Sequence, residues 1–433
     1  MSVSDDSPDD RTDAGLLRSV EQAIRGARSE GIAPLAVGVA VSGGGDSMAL
    51  LHLMERAARR SGQQIRAVTV DHGLRAGSAA EAAMVAGFCA QIGVPHDTLH
   101  WNGAGAVGNL MDQARRARAQ LIGQWAVAHG VGHVVLGHTA DDQAESFLMN
   151  LSRAAGLDGL SGMRSRWASE GIVWSRPLLA HSREVLRAYL RRQGVAWVED
   201  PSNSNDRFAR VKARRAMEAL RPLGITVERL NITIANLSVT QEAVAATTAK
   251  AAEAVVERAG GLEFGRQVVL QHPAEIRRRL VIEMIRWMNG RDYPPREGQV
   301  QQVLQSLEDR QDATLGGVRF RVVKDDVRVV REARAVGPAV PLGAIWDGRW
   351  QVKGPESGQE RASLSDCVQV RALGAKGLGQ MPDWRAAGIA RDAALVTPGV
   401  WDGDRLISAP VLGFGKEYAA TLTAGFGLFL LSH

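Results

Sequence analysis

The run Ser42-Gly43-Gly44-Gly45-Asp46-Ser47 lies between the apolar stretch 35–41 and a second apolar segment, Met48 to Met54. An apolar, β-branched run that breaks at three glycines and resumes with a helical pattern reads as strand, tight turn, helix. Glycines let a backbone approach an anion, and a helix start adds unpaired N–H donors and the positive end of a dipole. The chemistry this suits is phosphate binding. No Lys-Ser or Lys-Thr pair follows at Walker A spacing, so γ-phosphate transfer of that kind is disfavoured. Two further runs carry reactive side chains: Asp71-His72-Gly73-Leu74-Arg75, and His138-Thr139-Ala140-Asp141-Asp142-Gln143-Ala144-Glu145. The spacing of His138, Asp142 and Glu145 predicts that all three share one helical face. Carboxylates gathered so closely call for a cation, either Mg²⁺ on pyrophosphate or a substrate ammonium, although acidic residues also suit a helix N-terminus for its own sake. Between these runs Asn109 to Arg118 opens a helix with Arg115, Arg116 and Arg118, whose guanidinium forks fit phosphate oxygens or a solvated surface.

These groups need a scaffold that brings distant loops together. The stretches 35–41, 65–70, 97–101 and 131–136 read as strands, with helical segments such as Glu81 to Ile92 and Gln113 to His129 between them. Strand and helix alternation implies an α/β fold with a doubly wound parallel sheet, whose ligands sit at the carboxyl ends of the strands. The loops after Val41, Val70 and Leu136 then converge. Residues 1–14 are acidic and polar and are expected to form a disordered tail, followed by a catalytic domain over 15–222. A helical module with a hairpin, 223–335, and a small α+β module, 336–433, are expected to follow. The helical stretches there are Leu230 to Arg258 and Pro273 to Met288, and the hairpin turns through Lys324-Asp325-Asp326.

Composition narrows the classes. The chain has 433 residues, 45% hydrophobic and 23% charged, with a formal charge of +5. That is a globular composition with a basic balance that admits an anionic partner such as RNA. No apolar run reaches the roughly 20 residues of a membrane span, and the acidic N-terminus is unlike a secretion signal, so a cytoplasmic location without membrane attachment is expected. The two cysteines, Cys89 and Cys367, make no CxxC pair and encode neither a disulfide scaffold nor a zinc or iron–sulfur site.

The motifs together resemble the tRNA(Ile)-lysidine synthase family of PP-loop ATP pyrophosphatases. The glycine loop, Asp71 to Arg75, Asn109 to Arg118 and His138 to Glu145 stand in that family's order, as do Gly156 to Met163, Arg176-Pro177-Leu178-Leu179 and Val198 to Asn203. Coverage is strongest over about 37–215 and weaker through Thr314-Leu-Gly-Gly and Pro398 to Arg405. The resemblance implies that ATP adenylates C2 of the wobble cytidine of tRNA(Ile) with a CAU anticodon, and that the ε-amine of free L-lysine then displaces AMP. It assigns Ser42, Gly43, Gly44, Gly45, Asp46, Ser47, Asp71, His72 and Arg115 to ATP, with Asp46 near Mg²⁺. Asp71 and His72 are equally suited to supporting the strand end. Asp46, Arg118, His138, Asp142 and Glu145 are the catalytic candidates, with Asp142 and Glu145 on the lysine ammonium. Arg207, Arg210 and Arg214 are assigned to tRNA by their density, a density that a solvated helix face would also show. One departure stands out: where the family usually has Asn, this chain has Val211. A homodimer is one assembly the sequence leaves open.

Rival readings need features the chain lacks. A tRNA thiolase needs catalytic cysteines or a cluster, and an amidotransferase such as GMP or asparagine synthetase needs a glutaminase cysteine. A non-catalytic RNA-binding protein on a decayed nucleotide fold would not be expected to keep Asp46, Ser47, Asp141, Asp142 and Glu145.

Overall fold

The computed structural model describes residues 8–29, 36–73, 77–101, 110–169, 171–199, 209–290, 294–355 and 368–432. The chain forms two compact units, Met1–Gln241 and Glu242–His433. In the first, the order is α1 (Pro8–Ser29), β1 (Ala36–Ala40), α2 (Gly45–Ser61), β2 (Ile65–Asp71), α3 (Ser78–Ile92), β3 (His96–His100), α4 (Leu110–Ala128) and β4 (Val131–Leu136). Then come α5 (Ala140–Leu151), the single turn α6 (Leu157–Leu160), β5 (Arg166–Ser169), β6 (Ile172–Ser175), α7 (Arg183–Arg192) and α8 (Ala209–Leu220).

The sheet order is β3-β2-β1-β4-β6-β5, parallel except for the edge strand β5. All five residues of β1 are buried, as a central parallel strand covered on both faces requires. Val37 and Val39 face a layer that includes α1, α2 and α7, while Ala36 and Ala40 face Ile122, Trp125 and Ala126 of α4. The chain leaves β1 towards β2 on one side and β4 on the other, so a crevice opens at the carboxyl ends of β1 and β4. Both sequence motifs rich in reactive groups open there.

Two features differ from expectation. Helix α1 begins at Pro8, inside the segment expected to be a disordered tail. Leu16, Leu17, Val20 and Ile24 recur at helical spacing and are buried in the core, and Arg192 pairs with Asp13, so packing carries the polar first turns into the helix. The hairpin of β5 and β6 was not anticipated either; it stacks Trp167 on Trp174 with ring centroids 6.1 Å apart.

Helix α9 (Val227–Ala252) starts in the first unit and ends in the second. Strand β7 (Val256–Arg258) follows where helix was expected, then β8 (Gly261–Gly265), α10 (Gln267–Leu270), α11 (Ala274–Asn289), α12 (Glu297–Glu308), β9 (Ala313–Leu315), β10 (Val318–Val323) and β11 (Asp326–Arg331). The β10–β11 hairpin has the expected turn, with Lys324 in the left-handed region at φ 60°. Two smaller sheets complete this unit, and the border expected near residue 335 falls inside it. Trp287, Trp346, Trp350 and Trp401 are buried in the cores of this unit. Among the described residues no helix is long and apolar enough to cross a membrane.

Candidate active site

The glycine loop is held from both sides. Gly43 takes φ 83°, a conformation open to glycine, and its carbonyl accepts from Val198 N–H at 2.9 Å. A Cβ on Gly45 would stand 3.3 Å from Trp197. The Val198 to Asn203 motif therefore begins as a buttress for the loop. The Ser47 hydroxyl accepts from Ser42 N–H at 3.1 Å and donates to the Gly44 carbonyl at 2.9 Å, closing the turn. Gly44 caps α2 without a side-chain hydrogen bond, so the helix presents backbone donors to an anion.

Across the crevice, Gly137 brings the β4 loop against α2: a Cβ there would lie 3.0 Å from both the Asp46 carbonyl oxygen and Ser47 Cα. Thr139 and Asp142 then form a capping box that starts α5. His138 precedes the cap and is not on the helix. The expected single face of His138, Asp142 and Glu145 is thus replaced by a loop residue beside a helical pair. Asp142 also accepts from Thr139 N–H at 2.9 Å, so its carboxylate builds the helix start as well as facing the crevice.

The cation demanded by the carboxylates is supplied by a residue the motifs did not single out. Arg183, first residue of α7, reaches Asp46 Oδ2 through Nε at 3.2 Å, Glu145 Oε1 through Nη1 at 3.2 Å and Asp142 Oδ1 through Nη2 at 3.5 Å. Its backbone N–H donates to Asp141 Oδ2 at 2.7 Å. A cation in the first turn opposes the helix dipole, so its placement is explained by these carboxylates and not by α7 itself. Burial works against its charge, yet Glu145, Asp46 and Asp142 raise its pKa above the usual arginine value. Burial likewise pushes Asp46 up, against the pull of Arg183. For Asp142 burial acts upwards too, but Arg183, Thr139 N–H and neighbouring cations outweigh it and hold the carboxyl below its ordinary range.

Of Arg210 and Arg214 on α8, both expected on tRNA phosphate, Arg210 is exposed and Arg214 half-buried, and both lie near carboxylates of the crevice. Arg214 Nε donates to Glu145 Oε1 at 2.6 Å, and Arg210 Nη1 lies 3.9 Å from Asp142 Oδ1. Val211, between them, is buried. Arg207 lies outside the described residues. Arg115 and Arg118 are exposed on α4, and the charge of Arg118 acts on His138. Asp71 supports the turn after β2: hydrogen bonds from Ser78 and from Gly73 N–H at 3.0 Å hold its carboxyl below the usual range. His72 is half-buried beside it.

Two buried carboxylate oxygens, Asp46 Oδ1 and Glu145 Oε2, have no hydrogen-bond partner among the described residues. An orphaned carboxylate oxygen beside a phosphate cradle fits a Mg²⁺ ion, which takes one or two carboxylates and completes its shell with phosphate and water. Asp46 is the residue that meets this condition.

The PP-loop domain family model matches residues 18–220, which span every element of this crevice. A tRNA(Ile)-lysidine synthase from Ruegeria pomeroyi is 43% identical over 92% of this chain and 95% of its own length. The chain belongs to the tRNA(Ile)-lysidine synthase family. Further tRNA(Ile)-lysidine synthases, from Hyphomonas neptunium and a Bradyrhizobium species, are each 36% identical, over 76% and 70% of this chain and 89% and 90% of theirs. Among solved structures, the U34-tRNA thiolase NcsA of Methanococcus maripaludis aligns with TM-score 0.44 and 14% identity over 52% of this chain and 80% of that one. In this tRNA(Ile)-lysidine synthase family member, Arg183 is the central charge of the crevice that sequence motifs alone did not bring forward. The local signal was present: Ser182, whose hydroxyl accepts from Val185 N–H, marks a helix start directly after the Arg176-Pro-Leu-Leu run.

Proposed function

We propose that the protein is an ATP-dependent ligase that forms lysidine at the wobble cytidine of tRNA(Ile) with a CAU anticodon. The observation that carries the reading is the meeting of Asp46, Asp142 and Glu145 around one guanidinium beside the glycine loop. It supplies, side by side, a phosphate cradle and an anionic seat for an amine.

ATP is the substrate whose phosphates lie along the loop amides and the start of α2, with Arg115 and Arg118 offsetting the charge of the departing pyrophosphate. Mg²⁺, held through Asp46, neutralises phosphate charge when bound. The cytidine C2 oxygen attacks the α-phosphorus, the bond to pyrophosphate breaks, and C2 becomes bonded through oxygen to AMP. The lysine ε-ammonium is drawn to Asp142 and Glu145. Once deprotonated, the amine attacks C2, the C–O bond breaks, and AMP leaves with the oxygen. Glu145 Oε2, buried and without a hydrogen-bond partner among the described residues, is the acceptor for the amine proton. An anticodon base is already unpaired, so it can enter the crevice without melting a duplex. Residues 223–335 and 336–433 hold the tRNA body, and the reaction takes place in the cytoplasm. Cys89 is buried with its thiol pushed up to about 12, which argues against a thiolate role for it in sulfur transfer.

The test is AMP formation from ATP with L-lysine and unmodified tRNA(Ile) bearing CAU, each omitted in turn. Product that needs both, with one lysine added to the anticodon fragment, is expected. AMP that forms without regard to lysine would overturn the nucleophile assignment.

A further inference from the structure

At the edge of the crevice, His138 Nδ1 lies 3.1 Å from Arg176 Nε. The guanidinium of Arg176 is fixed on two other sides. Its Nη1 donates to the Arg164 carbonyl at 2.6 Å, and its Cζ sits 4.0 Å over the Trp167 ring, which is itself stacked on Trp174. Arginine has donors only, so this contact has one reading: Nδ1 accepts. A neutral imidazole whose Nδ1 accepts must carry its proton on Nε2. We propose that Arg176 is a positioning residue that locks His138 as the neutral Nε2–H tautomer, so that His138 serves the reaction as a hydrogen-bond donor to a substrate oxygen and not as its base.

The surroundings agree. Burial and then Arg176 lower His138 to about 4, Arg210 and Arg118 act in the same direction, and Asp142 alone among the named neighbours acts the other way. Arg176 is itself lowered, chiefly by burial and then by Arg115, to about 10, which leaves it charged at neutral pH. A neutral imidazole N–H in a crevice lined with cations suits an oxygen that gains negative character, such as a nucleobase carbonyl or an α-phosphate oxygen. The proton from the lysine amine then goes to a carboxylate, as the preceding scheme has it; this functional half of the inference rests on that scheme, whereas the tautomer does not.

The decisive measurement is ¹⁵N NMR of histidine-labelled native protein, with the His138 signals identified by their loss in His138→Ala. Proton-bearing Nε2 and bare Nδ1 at neutral pH are expected, and the Arg176→Met variant, which keeps an apolar contact with Trp167, should show a mixture of tautomers. A proton on Nδ1 in the native protein, or on both nitrogens, would overturn the proposal with no variant required to fold. The activity arm compares His138→Gln with His138→Ala. Glutamine carries N–H groups near the Nε2 position and should stay within about tenfold of wild type, whereas alanine should lose about 100-fold. Equal losses in the two would refute the donor role. Should the native protein form no AMP with tRNA and lysine, the lysidine reading fails while the NMR result still stands or falls by itself.

Discussion

Arg183 carries the heaviest electrostatic duty of any single residue in the crevice. Three carboxylates converge on it, with Glu145 only 1% exposed and Arg183 17% exposed. Removing one member of such a cluster leaves buried charge without a partner, which is the costly way to break an ion pair. Arg183→Ala should therefore destabilise the protein by about 3 kcal/mol in urea unfolding and abolish AMP formation. Arg183→Lys keeps the charge but cannot reach three carboxylates with one fork, so it should recover most of the stability and little of the activity. An alanine variant as stable as wild type would show that the carboxylates are satisfied without Arg183. Its partners lie 137 and 38 residues away in sequence, so the helix start at Ser182 is legible locally while the ion pairs of Arg183 are not.

Elements explain which readings were legible. The central strands are buried on both faces, so β1, β2 and β4 are nearly continuous apolar runs that stand out from the helices between them. The start of α5 was legible as well, because Thr139 and Asp142 have the spacing of a capping box; that signal separates His138 from the helix, and it competes with the four-residue spacing that suggests a shared face. Arg210 and Arg214 have the density expected of an RNA contact, and the packing of α8 beside α5 adds what their spacing does not show: Arg214 donates to Glu145 and Arg210 lies near Asp142. The glycine at 137 has no motif of its own, yet it sets how closely β4 and α2 approach. Gly137→Ala would push a methyl against the backbone of Asp46 and Ser47, atoms that cannot rotate aside. The expected cost is about 1 to 3 kcal/mol of stability, with a larger proportional loss of ATP affinity as the cradle shifts from the carboxylates. Isothermal titration with ATP and urea unfolding on the same preparation separate the two effects. Unchanged ATP affinity would mean the approach of β4 to α2 is not what shapes the cradle.

At the scale of the whole molecule, acid should act unequally on the two units. His52, His96, His133, His138 and His181 all have lowered pKa values, mainly through burial, and all lie in the first unit; His133 and His138 fall to about 4. A histidine held neutral in the folded state binds fewer protons than it does unfolded. Its contribution to stability is therefore complete above the unfolded value of about 6.5 and is lost as pH falls towards the folded value. For His133 and His138 this amounts to about 3 kcal/mol each by pH 4. Asp142, held below the usual carboxylate range, keeps its contribution above an unfolded value of about 3.9 and loses it only in stronger acid. The acid-linked loss that these imidazoles cause between pH 6.5 and 4 therefore falls on the first unit. Hydrogen exchange on the intact chain at pH 7, 5.5 and 4.5 should show protection falling across β1, β4 and α5 while β10, β11 and α11 keep theirs. Replacing His133 by Gln, which removes a titrating group but keeps a hydrogen-bonding side chain opposite Ser175, should flatten the acid slope of the first unit by about 1.4 kcal/mol per pH unit near pH 5. Parallel loss of protection in both units, or an unchanged slope in the variant, would mean that acid sensitivity arises from surface charge repulsion and not from these buried imidazoles.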